Sequence, residues 1–175
     1  MRAGRKSHYL IDGYNVIHAW KELSSLMDDL SLARDRLVFL LSEYGAYERA
    51  DITVVFDAPY TEEQAKEERY DRYLSIIYTG AGETADTVIE RLAYALSLRK
   101  EVYVVTSDSA EQGVALGAGA YRIPSRELER RVKRVKKKLH RDYLGEVTLP
   151  LVRNEVGGRL DEETLKKLDA LRKGF

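Results

Sequence analysis

The chain of 175 residues contains no cysteine. That excludes disulfides and thiolate metal sites, and makes the cytoplasm the expected compartment. No apolar run approaches the roughly 18 residues of a membrane-spanning helix, so no membrane partner is expected. The opening MRAGRKSHYLIDG has a basic start, but its apolar stretch is too short for a secretory signal. Net charge is missing too. The 29 basic and 29 acidic side chains cancel, so the molecule as a whole exerts no pull on a polyanion. The three histidines, His8, His18 and His140, show no ligand spacing. A G-x-G-x-x-G loop does not follow the first apolar segment, where Asp12-Gly13-Tyr14-Asn15 stands instead. No nucleotide cofactor is therefore expected.

What is present suits one ordinary domain with extensions: 44% hydrophobic and 33% charged residues. Five short apolar segments read as strands. They are Tyr9–Ile11, Ile52–Phe56, Tyr73–Tyr78, Val102–Val105 and Ala120–Ile123. The second and fourth are β-branched and nearly continuous in hydrophobicity, as strands covered on both faces are. Between them lie helical patterns. One runs through Leu30, Ala33, Leu37, Leu40, Leu41 and Tyr44 and closes at Gly45. A second runs through Ala85, Val88, Ile89, Leu92 and Leu96, with Thr84 as N-cap. A shorter one spans Ser109 to about Gly117 or Gly119, and the charged Thr61–Arg69 reads as a loop or surface helix. Alternating strands and helices predict a doubly wound α/β fold with a mainly parallel sheet of about five strands.

After Pro124 the composition shifts. With Ser125 as cap, Leu128, Val132, Val135 and Leu139 form one stripe at about 100° per residue. Arg126, Arg130, Lys133, Arg134, Lys137 and Arg141 fall on the opposite side. One face packs and the other is a row of cations suited to a phosphate backbone. The expected division is a domain over 8–141 that includes this helix. A segment over 142–175 follows, a loop or hairpin from Gly145 and then an amphipathic helix capped by Asp161.

The chemistry lies at the strand ends. Asp12, Asp57 and Asp108 each stand just past an apolar segment, and Glu83 and Asp86 flank the start of the helix in GAGETAD. In an open parallel sheet these positions share one rim, where ligands bind. Carboxylates that close repel, so one takes a proton or a cation sits among them. Oxygen donors without Cys favour a hard ion, Mg²⁺ or Mn²⁺. Such an ion can bind a phosphate oxygen, lower the pKa of a water and stabilise a leaving oxygen, which points to phosphodiester hydrolysis. Each acid has a plainer alternative: Asp12 and Asp57 as turn residues, Asp86 as a helix N-terminal charge, Asp108 as an N-cap.

LIDGYNVI, VVFDA, GETADTVIE and VVTSD, in this order and spacing, resemble the NYN domain family, and within it the YacP-like branch related to PIN-domain ribonucleases. The resemblance covers roughly Tyr9 to Val135. It implies a Rossmann-like PIN fold, an acidic Mg²⁺-dependent site and endoribonuclease activity, with mRNA on translating ribosomes as the substrate context. Carried over by motif, Asp12, Asp86 and Asp108 become the catalytic, metal-binding acids. Asp57 and Glu83 become supporting acids, and Asn15 a residue that orients Asp12 or touches the substrate.

Two other readings stay open. A non-catalytic RNA- or ribosome-binding module on the same fold would associate without metal and cut nothing. A phospho-accepting receiver domain also gathers acids at such a rim, but needs a Lys after the fifth strand, where YRIPSRE has none. Finally, only two Asn, two Gln and two Met accompany the high charge, a composition associated with heat stability. A calorimetric melting midpoint above about 65 °C, the upper end for mesophile domains, is the expected outcome.

Overall fold

A computed structural model describes residues 6–58, 64–107 and 117–147, with side chains to Tyr143. Six strands form one sheet: β1 (Ser7–Asp12), β2 (Asp51–Phe56), β3 (Lys66–Arg69), β4 (Leu74–Tyr78), β5 (Glu101–Val105) and β6 (Tyr121–Ile123). The helices are α1 (Gly13–Ala19), α2 (Lys21–Ser24), α3 (Leu30–Glu48), α4 (Ala85–Ser97) and α5 (Ser125–Val147). Strand order is β3-β4-β2-β1-β5-β6. All neighbours are parallel except β3, which runs antiparallel to β4. The mainly parallel α/β architecture expected from the alternating patterns is the one observed.

The continuous hydrophobicity of the central strands follows from their two-sided burial. On one face Tyr9, Ile11, Ile52, Val54, Phe56 and Val105 pack with α1, α3 and the start of α5. On the other, Leu10, Val55, Val102 and Val104 meet Ala85, Val88, Ile89 and Ala93 of α4. From β1 the chain steps outward to β2 and β4. Helix α4 then carries it back to β5 on the other side of β1. The order therefore reverses between β1 and β5, the switch point at whose C-terminal strand ends open parallel sheets have their ligand-binding crevice.

Several local expectations need correction. The sheet has a sixth strand: Lys66–Arg69 is neither loop nor helix but an edge strand, with Lys66 opposite Tyr78. Its KEER sequence has no apolar alternation because it lies at the margin, where charge also protects against further pairing. Helix α3 does not stop at Gly45. That glycine is inside it, where a Cβ would come within 3.1 Å of Ile52 and 3.2 Å of the Ala50 carbonyl. The left-handed cap is Arg49, at φ 53°. Helix α5 continues past Arg141 and Gly145 to Val147. Leu128, Val132 and Val135 are buried as expected, but Leu139 is 37% exposed. The chain divides into two compact units, Met1–Lys137 and Lys138–Phe175. The Ser109 helix and the Asp161 helix fall outside the described residues. No described helix is long and apolar enough to cross a membrane.

Far from the crevice, His8 is buried at the start of β1. Its Nε2 lies 2.9 Å from Thr53 Oγ1, and its Nδ1 lies 3.2 Å from Lys100 Nζ. Burial first, then the Lys100 charge, lower its pKa from 6.5 to about 4. The folded state thus keeps His8 neutral where the unfolded chain protonates it. Its contribution is intact above pH 6.5 and is lost as pH falls from there to about 4. Chemical denaturation across that window should show a fall on the order of a few kcal/mol that is blunted in His8→Asn.

Candidate active site

Asp12 ends the central strand and caps the next helix. Its carboxylate accepts the Asn15 backbone N–H at 3.0 Å. The abrupt turn after the strand is therefore a helix start, with the acid as N-cap. Gly13 is needed there because β2 comes close: a Cβ at this position would lie 2.3 Å from the Phe56 ring. The carboxyl of Asp12 is half-buried and its pKa is raised, chiefly by burial. The Asn15 N–H opposes this, and the charges of Asp86 and Asp57 raise it further. Two acids from separate chain segments thus act on Asp12.

Asp57, one residue past β2, is held by Thr79 from the end of β4. The Thr79 hydroxyl donates to Asp57 Oδ1 at 3.0 Å and accepts the Ala58 N–H at 2.9 Å. Asp86 is exposed in the first turn of α4, whose N-cap Thr84 accepts the Thr87 N–H at 3.3 Å. Glu83 is turned to a different partner. It pairs with Arg91, one of whose guanidinium nitrogens lies 2.5 Å from Oε1. Asp108 lies outside the described residues, which end in this segment at Ser107.

Asn15 does more than close its own turn. Its side-chain oxygen accepts the Ser107 N–H at 3.0 Å and the Ser125 hydroxyl at 2.9 Å. One amide therefore ties α1 to the end of β5 and to the first residue of α5. Trp20 makes a second tie, donating from Nε1 to the Ser125 carbonyl at 2.7 Å. Ser125 is consequently not the N-cap expected of it. The Pro124 carbonyl opens the helix, accepting from Glu127 and Leu128 at 2.8 and 3.2 Å, while the serine hydroxyl serves Asn15. Sequence reading missed Thr79, Phe56, Trp20 and Ser125 as parts of this rim. Only the Thr that closes an apolar segment, as at Thr79 and Thr106, offered a signal.

Arg126, Arg130, Lys133, Arg134, Lys137 and Arg141 are all exposed on α5. Lys133 is paired with Glu129 at 2.5 Å. The other five make no ion pair among the described residues. The row begins one residue after Ser125, which Asn15 contacts.

The donors at the rim are oxygen only, and burial and like charge already raise the proton affinity of Asp12. That fits a hard divalent ion. Among the described residues, no three acids or histidines stand close enough to form a complete ion-holding group by themselves.

The sheet order and its mainly parallel pairing define a PIN/NYN-like α/β fold. A profile of the YacP-like NYN domain matches residues 9–173, and the chain belongs to that family. Uncharacterized protein YacP of Bacillus subtilis (strain 168) is 36% identical over 167 residues, covering 94% of this chain and 96% of the relative. Two crystal structures of Rae1 (YacP) from Bacillus subtilis are similar in fold. A mutant form has TM-score 0.72 at 34% identity and covers 94% of this chain and 99% of its own. The second has TM-score 0.68 at 35% identity, with 95% and 94% covered.

Two substitutions probe the rim. Gly13→Ala should destabilise by about 1–3 kcal/mol through the Phe56 clash, and Phe56→Leu in the same chain should recover part of the loss in urea unfolding. Asn15→Ala, which leaves the Ser107 and Ser125 donors without their acceptor, should cost about 1–3 kcal/mol by the same measurement.

Proposed function

We propose that this protein is a metal-dependent endoribonuclease that hydrolyses RNA phosphodiester bonds in the cytoplasm, with mRNA on the ribosome as its substrate. The observation that carries the reading is that Asp12 and Asp57, at the ends of the adjacent parallel strands β1 and β2, and Asp86, in the first turn of α4, stand close enough for the latter two charges to add to burial in raising the pKa of Asp12. A folded chain gains nothing from such crowding; a bound cation relieves it. Membership of a nuclease-like family supports the same reaction class.

Asp12, Asp86 and Asp108 would hold the ion, Mg²⁺ or Mn²⁺. When bound, it supplies a water of lowered pKa and neutralises charge at the phosphate. The chain's own groups do the rest. Asp57, held by Thr79, adds negative charge near Asp12, and Glu83 is a supporting acid paired with Arg91. Asn15 fixes Asp12 through its backbone and the Ser107 segment through its side chain, so it sets the spacing between the first acid and the stretch that leads to Asp108. The α5 cations hold the RNA backbone by displacing counterions, which makes binding salt-sensitive. A second reading, a non-catalytic RNA- or ribosome-binding module, draws support from the Glu83–Arg91 pair, which commits one rim acid to a neighbouring cation.

Asp12→Asn should keep the fold and lower cleavage of a labelled RNA at least about 100-fold. The parent should leave 5′-phosphate and 3′-hydroxyl ends in Mg²⁺ or Mn²⁺ and be silent in EDTA. Cleavage at the parent rate by the variant would remove Asp12 from the site. The raised pKa of Asp12 means that its stability contribution holds below the unfolded pKa and is lost as pH rises through the folded one. In EDTA at neutral pH the Asn variant should therefore unfold at the same or a higher denaturant concentration than the parent.

A further inference from the structure

Three tyrosines stand side by side across the sheet. Strand register sets Tyr9 opposite Tyr103, and Tyr103 opposite Tyr121. Their rings form a continuous stack, with centroids 5.1 and 5.4 Å apart and planes inclined by 20° and 30°. Tyr44 closes the inner end edge-on to Tyr9 at 5.7 Å. Burial falls along the row: Tyr9 is 6% exposed and Tyr121, on the outermost strand, 57%. The stack therefore starts in the core and ends on an open ring at the sheet margin, since β6 has no neighbour beyond it among the described residues. An exposed tyrosine backed by a rigid ring costs little conformational entropy when it receives another flat ring.

Charge identifies the occupant. Tyr121 is joined by only three residues to α5, whose exposed cations include Arg126, Arg130, Arg134 and Lys137. A flat ring attached to a polyanion satisfies both features, whereas an apolar peptide has no use for the cations. We propose that Tyr121, supported by Tyr103, is a stacking platform for an unpaired base of single-stranded RNA whose phosphates lie along α5. This rests on the RNA-binding half of the proposed function but not on the acids.

The test is binding of the full chain in EDTA, where nothing is cut, to an unstructured oligoadenylate and to an abasic phosphodiester strand of equal length. Tyr121→Ala should weaken oligoadenylate binding roughly 5- to 100-fold, leave the abasic strand unchanged, and be rescued by Tyr121→Phe or Tyr121→Trp. Arg134→Ala with Lys137→Ala should weaken both strands. Equal affinity of the parent and Tyr121→Ala for oligoadenylate, equal losses on both strands, or no binding by the parent would each overturn the platform. Failure of Asp12→Asn to stop cleavage would overturn only the catalytic assignment.

Discussion

Everything at the rim depends on β1 being paired in parallel on both edges, with β2 on one side and β5 on the other. A strand so placed is buried on both faces and ends at the reversal of strand order. Its last residue therefore stands at that edge of the sheet. Asp12 occupies that position, and each neighbouring strand delivers its own terminal residues to the same edge. Converging acids are a consequence of parallel pairing, since antiparallel neighbours would send alternate strand ends to opposite sides of the molecule.

This arrangement puts local economy and function in tension. Asp12 is a good N-cap, and its bond to the Asn15 N–H favours the charged form. Burial and two acidic neighbours disfavour it more strongly. The surroundings are correspondingly rigid. Phe56 presses on Gly13, Thr79 locks Asp57, and one amide oxygen of Asn15 serves donors from two other elements. This network of contacts frames the rim. It also links the rim to α5, so that the cation row begins at a fixed distance from the acids.

Much of this was legible beforehand. The five apolar segments, the Thr84 cap and the exposed cations of α5 follow from periodicity, because burial on one or two faces leaves a regular mark. The family resemblance drawn from LIDGYNVI, VVFDA, GETADTVIE and VVTSD agrees with the family to which the chain belongs. The edge strand Lys66–Arg69 was not legible, since its residues answer to a neighbour's open hydrogen bonds and to solvent rather than to a core. Nor was the role of Ser125, whose hydroxyl is claimed by an amide 110 positions away. Gly45 misled for a related reason: a glycine that admits a neighbouring strand looks the same in sequence as one that ends a helix.

The amino-acid order alone settles the class of fold, the oxygen-only character of the acid set and the amphipathic division of α5. Each of these is a local property of residue type and spacing. Which acids feel one another, that Glu83 turns to Arg91 instead, and that three tyrosines on separate strands share one stack were decided only by tertiary structure. Such facts depend on strand register and through-space distance, and a linear pattern carries neither.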